Sequence, residues 1–342
     1  MVKKCAVVFG GTGFIGAFFV NYLLDNSDFD YIYLVDIEQP NVKKSKFRVK
    51  QLTHSHKLKY LQWDVRKLLD DLIVEGRVDL IANFAAIHRE PGHRHEEYFE
   101  TNILGAENIC RWADLVACKN IIFTSSISPY GPGEKLKCEK TLPNPSTAYG
   151  SSKLVAEKIH EIWQAKEGSI RHLVIVRPGV VFGPGEYGNV SRLIKAVTHR
   201  YFFFMGNQST RKAGVYVREL CNAIWWLLQH QLENNEFVTV CNVSMNPGPS
   251  IKDYVDSVCK TQKIKRFIPL IPYKILLFFA YFIEYFSKIF KIQHPFSPVR
   301  IEKLIKSNNI YPSYLVDQGY DFKYTLDMAF SDWKILCPEE WE

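Results

Sequence analysis

Short apolar runs alternate with longer stretches of helical periodicity through the first half of the chain. The short runs have the length of strands and lack a polar face, which is typical of strands covered on both sides. Strands that alternate with helices in this way predict an α/β fold with a doubly wound parallel sheet. The segments are Cys5–Phe9, Phe14–Asp25, Tyr31–Val35, a span around Val65–Leu72, Leu80–Asn83, Glu100–Ala117, Ile121–Thr124, Ala148–Ala165 and Leu173–Val176.

Proline and glycine residues interrupt this alternation between positions 178 and 188. We expect the chain to leave the sheet there and to return through a strand near Val215–Val217, a helix near Arg218–Gln231 and a strand near Phe237–Cys241. The sequence therefore predicts a sheet domain of residues 1–177 and 211–243, together with a smaller, discontinuous C-terminal lobe of residues 178–210 and 244–342.

A glycine-rich segment, Gly10-Gly11-Thr12-Gly13-Phe14-Ile15-Gly16, lies between the first predicted strand and the first predicted helix. Glycines there allow a tight turn, let backbone N–H groups approach a pyrophosphate, and let helix pack closely on strand. Asp36 ends the next strand, where a carboxylate binds ribose hydroxyls and repels a 2′-phosphate. The sequence predicts a Rossmann domain that binds NAD rather than NADP, through Gly10, Gly13, Phe14, Ile15, Gly16 and Asp36.

Tyr149 and Lys153 lie one turn apart on a predicted helix, so their side chains share a face. A free phenol has a pKa of about 10. A neighbouring ammonium favours the phenolate, which a general base requires near neutral pH. Behind a dinucleotide fingerprint, this spacing predicts a catalytic Tyr-Lys pair rather than two surface residues.

A serine-rich turn follows the strand Ile121–Phe123. It falls at the carboxyl end of the predicted sheet, where such folds bind ligands. A hydroxyl there can donate to a substrate oxygen as that oxygen becomes a carbonyl. Ser126 is the candidate, Ser125 and Ser128 are alternatives, and an ordinary serine-rich turn is the non-catalytic interpretation.

Together these residues resemble the extended short-chain dehydrogenase/reductases, specifically the NAD-dependent sugar epimerases and dehydratases. The resemblance covers nearly the whole chain and includes Asn83-Phe84-Ala85-Ala86, Thr101-Asn102, Arg177-Pro178-Gly179 and Tyr216-Val217. It implies that Ser126, Tyr149 and Lys153 form a catalytic triad, with Lys153 also binding the nicotinamide ribose. The further cofactor contacts that it implies are Asp64, Val65, Phe84, Ala85, Ala86, Tyr149 and Pro178.

Three reactions share this machinery: 4-epimerisation, 4,6-dehydration, and one-way oxidation or reduction of a sugar or sterol. Dehydratases of the family usually carry an Asp-Glu pair just after the catalytic hydroxyl, where this chain has Ile127-Ser128. Dehydration is therefore disfavoured. The resemblance favours a 4-epimerase of a sugar linked through a diphosphate to UDP or a polyprenyl carrier, in surface polysaccharide synthesis. A sugar or hydroxysteroid oxidoreductase and a non-catalytic NAD sensor are the alternatives.

Candidate substrate contacts lie in both predicted lobes. Arg211-Lys212 occupy the stretch where UDP-sugar epimerases typically carry an Arg-Asp pair, so we expect basic groups to meet a diphosphate there. Asn189 is either a second diphosphate or sugar contact or a loop cap. We expect no metal, because no carboxylate or thiol completes a ligand set with the nearby histidines. The predicted substrate residues are His88, Arg89, Ser125, Ser126, Asn189, Arg211 and Lys212.

The formal net charge of +7 is concentrated in one segment. Residues 252–306 contain eleven Lys and Arg against four Asp and Glu, and the remainder is balanced. The same segment holds Ile275–Ile283, nine residues without a charge, which is shorter than the about 20 needed to span a bilayer. This pattern argues against nucleic acid as a partner. It favours either packing within the lobe or a dimer, or a helix within 270–292 lying on a membrane surface.

Eight scattered cysteines without metal-ligand spacing indicate reduced thiols. With no signal-peptide pattern at the N-terminus, we expect a cytoplasmic protein, with the inner face of the membrane as an alternative location. The family resemblance implies a homodimer formed through the helices near Asn102–Ala117 and Ala148–Ala165.

Overall fold

The computed structural model describes residues 2–40, 52, 55–88, 92–278, 281, 283 and 307–342. Its strands, in chain order, are β1 (Lys4–Phe9), β2 (Tyr31–Asp36), β3 (Leu58–Gln62), β4 (Arg77–Asn83), β5 (Asn120–Thr124), β6 (Gly133–Lys137), β7 (His172–Pro178), β8 (Val180–Phe182), β9 (Phe204–Met205), β10 (Gly214–Tyr216), β11 (Val238–Val243), β12 (Leu270–Ile271) and β13 (Asn308–Ile310). Its helices are α1 (Phe14–Asn26), α2 (His95–Leu115), α3 (Ala148–Ala165), α4 (Asn189–Thr198), α5 (Val217–Asn234), α6 (Ile251–Gln262), α7 (Ser313–Asp317) and α8 (Leu326–Leu336).

Seven strands form one parallel sheet in the order β11-β7-β5-β4-β1-β2-β3. The strand order reverses between β1 and β4, and ligands of such sheets bind in the crevice at the carboxyl ends of the strands beside that reversal. This arrangement confirms the predicted doubly wound Rossmann sheet.

The alternation of side chains along β1 shows how the sheet builds two cores. Ala6 and Val8 belong to the apolar cluster that includes α1 and α5, whereas Cys5, Val7 and Phe9 belong to the cluster that includes α2 and α3. Because successive strand residues face opposite sides, a run of five apolar residues satisfies both layers.

Two local expectations were wrong. The segment near Val215–Val217 does not rejoin the main sheet, because β10 pairs with β8 in a separate two-stranded sheet and the chain returns through α5 and β11. The span around Val65–Leu72 forms turns between β3 and β4 rather than a regular helix, although Leu69 and Leu72 are buried.

The elements of the smaller lobe meet around an aromatic cluster. The Phe182 ring, at the end of β8, contacts the rings of Tyr254 on α6 and of Phe330 and Trp333 on α8. Residues 273–278 are helical, and the later part of the apolar segment lies outside the described residues, except for Tyr281 and Ile283. No helix in the described part of the chain is long and apolar enough to cross a membrane. The predicted lobe boundaries stay a prediction.

Candidate functional site

The glycine-rich loop joins β1 to α1 and has no room for side chains at Gly10 and Gly16. Gly10 has φ of +72°, and a Cβ there would lie 2.7 Å from the backbone nitrogen of Ala85. A Cβ on Gly16 would overlap the carbonyl oxygen of Gly10. Helix α1 starts at Phe14 with Gly13 as its N-cap, without a side-chain cap or an acidic residue in its first turn. A backbone cradle at an uncapped helix N-terminus fits a pyrophosphate.

Asp36 lies next to this loop, at the end of β2. Its Oδ2 accepts hydrogen bonds from the backbone N–H of Thr12 at 3.2 Å and from the Thr12 hydroxyl at 2.6 Å. The loop therefore fixes the orientation of the carboxylate. An anionic group at this position fits the hydroxyls of a ribose and would repel a 2′-phosphate.

A cavity of about 340 Å³ lies beside the carboxyl ends of β2 and β3 and is the candidate adenine site. The Asp64 carboxylate in its wall is paired with Arg66 at 2.6 Å, and this hydrogen bond holds the pKa of Asp64 below its usual value. The carbonyl of Val65 accepts a hydrogen bond from Asn108 at 2.8 Å, which fixes the turn. The sequence prediction missed much of the wall, which is lined by Ile37, Gln62, Trp63, Asp64 and Lys67.

The turn after β4 carries Phe84, Ala85 and Ala86 past the glycine loop. Asn102 of α2 fixes it, because its Oδ1 accepts from the Ile87 N–H at 3.0 Å and its Nδ2 donates to the Ile87 carbonyl at 3.1 Å. On the other side of the crevice, the carbonyl of Pro178 at the end of β7 accepts from Ile127 N–H at 3.2 Å. The turns that carry these predicted cofactor contacts therefore follow β4 and β7, on either side of β5.

Helix α3 carries Tyr149 and Lys153 one turn apart: Lys153 reaches the carboxyl end of β5, and the Tyr149 ring lies 6.1 Å from the ring of Tyr98 on α2. Thr147 caps the helix by accepting a hydrogen bond from the Gly150 N–H. The Lys153 Nζ donates to the carbonyl of Thr124 at 2.8 Å and lies 4.7 Å from the centre of the Phe123 ring. Burial lowers the pKa of Lys153 to about 7, and the charge of Glu157 acts in the opposite direction.

The two serines after β5 have different surroundings. The buried Ser125 hydroxyl donates to Glu157, inside the protein. The half-buried Ser126 hydroxyl donates to the Ser128 hydroxyl and accepts from the Ser128 N–H, both at 3.1 Å. The geometry therefore favours Ser126 over Ser125 as the hydroxyl that meets a substrate.

Two of the predicted substrate residues, Arg211 and Lys212, adjoin a second cavity. This cavity of about 480 Å³ is lined by Glu134, Gly206, Asn207, Ser209, Thr210, Arg211, Tyr273 and Ser307. The Arg211 side chain donates to the carbonyl of Gly248. Burial lowers the pKa of Lys212, opposed by the charge of Glu134. Glu134 is an acidic neighbour of the predicted diphosphate contacts that the sequence prediction missed.

The remaining predicted substrate residues are less closely grouped. Asn189 is exposed at the start of α4 and accepts from Arg192 at 2.6 Å. The N-terminus of α4 is already occupied by a carboxyl group, because Glu186 Oε2 accepts from the Ser191 N–H at 3.0 Å and from the Ser191 hydroxyl at 2.6 Å. His88 is exposed, and Arg89 lies outside the described residues. The described part of the chain contains no group of three or more His, Cys, Asp or Glu that could hold a metal ion.

A buried pair beneath Lys153 was also missed. Glu157 and Arg177 form a bidentate ion pair, with 2.9 Å between Nε and Oε1 and 2.6 Å between Nη2 and Oε2. In the sequence, Glu157 is marked only by its position one turn after Lys153, and Arg177 only by its place in the Arg177-Pro178-Gly179 motif.

Comparison with known proteins agrees with this geometry. A sequence profile of the NAD dependent epimerase/dehydratase family matches residues 6–241. The chain is 28% identical over 253 residues to the N-acetyl-alpha-D-glucosaminyl-diphospho-ditrans,octacis-undecaprenol 4-epimerase of Escherichia coli O157:H7, covering 73% of this chain and 75% of that protein. It is 27% identical over 247 residues to a UDP-glucose 4-epimerase of Vibrio cholerae, covering 70% of this chain and 71% of that protein.

The fold is similar to that of a UDP-glucuronic acid 4-epimerase from Bacillus cereus solved in complex with NAD. The TM-score is 0.75 at 17% identity, over 99% of this chain and 100% of that chain. The family match, the fingerprint loop and the fold agree with the prediction from the motifs. The chain is an enzyme of the NAD-dependent epimerase/dehydratase family, and its cofactor is NAD.

Proposed function

We propose that this enzyme is a 4-epimerase of a diphosphate-linked hexose or N-acetylhexosamine in surface polysaccharide synthesis. The observation that supports the proposal is the Tyr149-Lys153 pair one turn apart on α3, with the Lys153 ammonium bound to the Thr124 carbonyl at the carboxyl edge of the sheet that also carries the glycine loop. The chemistry that NAD supplies when bound is reversible acceptance of a hydride.

Tyr149 acts as the base that takes the proton of the sugar 4-hydroxyl and later returns a proton to the 4-keto group. The Lys153 ammonium favours the phenolate form of this base. Ser126 donates a hydrogen bond to the sugar oxygen while it is a carbonyl. Rotation of the 4-keto sugar between the two hydride transfers inverts C4 without net oxidation, so no further catalytic group is required.

Arg211 and Lys212 are proposed to bind the substrate diphosphate beside the cavity lined by Thr210 and Tyr273. Their positive charge and the cavity's position in the smaller lobe support this assignment. The E. coli O157:H7 relative is named for a diphospho-undecaprenol substrate and the V. cholerae relative for UDP-glucose. Both carriers contain a sugar diphosphate, and the proposal includes either.

The proposed reaction can be tested with the purified enzyme. UDP-linked and polyprenyl-diphosphate-linked hexosamines are incubated separately and the C4 epimers are resolved. We expect epimer to form without accumulation of NADH, and Tyr149→Phe to reduce kcat by about 10²-fold or more, while the exposed Tyr201→Phe control stays active. Net NADH formation would support an oxidoreductase instead, and full turnover by Tyr149→Phe would contradict the assigned base.

We also propose that the enzyme is a homodimer formed through α2 and α3. Phe99 and Leu115 on α2, and Val155 and Ile162 on α3, are 40–62% exposed, which is typical of an interface rather than of a solvated helix face. Ile162→Glu should give a monomer by light scattering. Ile335→Glu on α8, where the side chain is 78% exposed against 62% for Ile162, is the control, and an unchanged mass for Ile162→Glu would contradict this interface.

The basic C-terminal segment is proposed to contact the membrane peripherally. Phe267 and Phe278 are 88% and 67% exposed, and the surrounding sequence carries the whole positive surplus of the chain, which suits anionic lipid. In a flotation assay, the protein should bind phosphatidylglycerol vesicles and the Phe267→Ser/Phe278→Ser variant should bind less. Equal, negligible binding by both proteins would refute the contact.

A further inference from the structure

A buried carboxylate, Glu157, lies on α3 one turn after Lys153 of the proposed catalytic pair. Tyr149, Lys153 and Glu157 follow one another at intervals of four residues, so the three side chains lie along one face of the helix. Glu157 is completely buried and Arg177 is 5% exposed. Neither group belongs to the proposed acid–base chemistry.

Glu157 is held from two strands of the sheet. Its carboxylate binds the Arg177 guanidinium of β7 through two hydrogen bonds of 2.9 and 2.6 Å and accepts a third from Ser125, just after β5. Arg177 also donates to the Tyr130 hydroxyl at 2.9 Å, and Tyr130 donates to Asn242 at 2.9 Å. Every partner of the pair is buried, so both charges are fixed in place.

Lys153 has a different environment, because in the described part of the chain its ammonium forms no ion pair. Its hydrogen bond goes to the carbonyl of Thr124, the residue that precedes Ser125. The backbone of these two residues therefore links the ammonium to the Glu157 carboxylate. Burial acts against the charged form of Lys153, and Glu157 supplies the opposing attraction.

Other titratable groups nearby do not supply this attraction. Burial lowers the pKa of His160 to about 4, so it is neutral at working pH. Its Nδ1 bonds to the Ala156 carbonyl at 2.7 Å and its Nε2 contacts the Asn83 amide at 3.3 Å, which assigns the proton to Nδ1. On α3, Glu157 and His160 interact electrostatically with Lys153, and Tyr149 lies one turn before it. From the neighbouring elements, Arg177 of β7 pairs with Glu157, and the Tyr98 ring of α2 lies 6.1 Å from that of Tyr149.

We propose that Glu157 is a positioning residue of the active site: it keeps Lys153 charged and, through Ser125, holds the catalytic turn after β5 against α3. A buried ion pair is seldom required for stability, since apolar replacements of similar volume often serve as well. A carboxylate placed here therefore has a use in the electrostatics of the site. The catalytic role of Lys153 in this proposal rests on the proposed function. The effect of Glu157 on the charge of Lys153 does not depend on it.

The test compares charge with shape in the full-length, NAD-loaded enzyme. Glu157→Gln keeps the shape of the side chain and removes its charge, whereas Glu157→Asp keeps the charge and shortens the chain. The Lys153 Nζ is titrated by NMR in ¹⁵N-lysine-labelled protein, with Lys153→Met to assign its signal. The pH profile of kcat is measured in parallel.

Glu157→Gln should lower the titration midpoint of Lys153 by about 1 pH unit or more. The alkaline limb of the pH profile of kcat should shift to lower pH by the same amount. Glu157→Asp should keep both near their wild-type values. Arg177→Gln, which removes the competing cation and leaves Glu157 hydrogen-bonded to Ser125, should move both in the opposite direction and carries the test if Glu157→Gln does not fold.

A purely structural role would give a different pattern. Glu157→Gln would then resemble the wild type more closely than Glu157→Asp, or all variants would lose activity with an unchanged Lys153 midpoint, and either result would overturn the proposal. The NMR titration needs no turnover. If no sugar is epimerised, the proposed function fails while the role of Glu157 is still decided.

Discussion

Lys153→Met should make the folded protein more stable while abolishing its activity. Burial lowers the pKa of Lys153 to about 7, against about 10.4 for a lysine in water. One pH unit corresponds to about 1.4 kcal/mol, so keeping this ammonium in the folded state costs about 5 kcal/mol relative to the unfolded chain. Methionine removes that cost, but leaves the Thr124 carbonyl without its donor, a loss of about 1–3 kcal/mol. The expected net gain at pH 6 is about 2–4 kcal/mol.

The pH dependence of this gain follows from the same values. Below pH 7, Lys153 is protonated in both the folded and the unfolded wild type, so the full cost is present. Between pH 7 and about 10.4 the unfolded chain binds the additional proton, so the stability of the wild type rises with pH by about 1.4 kcal/mol per unit. The advantage of Lys153→Met should therefore shrink by about 3 kcal/mol between pH 7 and 9.5.

The measurement is urea denaturation of the cofactor-free protein between pH 6 and 9.5. Lys158→Met is the matched control, because Lys158 lies on the same helix, is 61% exposed and pairs with Glu161. An exposed pair contributes about 0–1 kcal/mol, so this variant should follow the pH dependence of the wild type. A Lys153→Met variant that is less stable than wild type at every pH, or whose difference does not change with pH, would refute the reasoning.

Three further substitutions test the cofactor and substrate sites. Gly16→Ala should weaken NAD binding about tenfold or more and destabilise the protein by about 1–3 kcal/mol, because the added Cβ would overlap the backbone. NAD binding is measured by fluorescence titration and stability by denaturation. Gly168→Ala is the control for both, because its Cβ would have no neighbour closer than 3.9 Å. Asp36→Asn should improve binding of NADP relative to NAD by about tenfold, because the 2′-phosphate no longer meets an anion, and an unchanged ratio of dissociation constants would contradict this. Glu186→Gln should change the inhibition constant of UDP by less than about twofold, because the proposed diphosphate contacts, Arg211 and Lys212, lie outside α4. A decrease of about 2–5-fold would instead place the diphosphate at the start of α4 near Asn189, where the carboxylate competes with it.

The parts that the sequence predicted well depend on local spacing. The glycine loop is read from seven consecutive residues, and the closeness of Gly16 to Gly10 follows from the turn that these residues form. The shared face of Tyr149 and Lys153 follows from helix geometry alone. The parallel sheet covered by helices on both faces follows from the alternation of strands and helices.

The parts that were missed depend on contacts between distant residues. Ser125 and Glu157 are 32 positions apart, and Glu157 and Arg177 are 20 apart. No periodicity or motif spacing in the chain indicates that the Ser125 hydroxyl donates to a carboxylate rather than to a ligand. The short strand near Val215 shows the same limitation, because three apolar residues can pair with β8, as they do here, as readily as with a strand of the main sheet.

The position of Lys153 explains why the catalytic face of α3 cannot be optimised for stability and for chemistry at once. A lysine in contact with water would cost the fold nothing, but its charge would be screened and would favour a phenolate only weakly. Withdrawal of the ammonium from water strengthens its effect on Tyr149 and at the same time lowers its own pKa. A buried counter-charge such as Glu157 limits that loss, while Arg177 and Ser125 bind its carboxylate. A direct Lys153-Glu157 ion pair would neutralise the ammonium that the phenolate needs, so the separation of the two groups by the turn after β5 is as important to the proposed chemistry as the charges themselves.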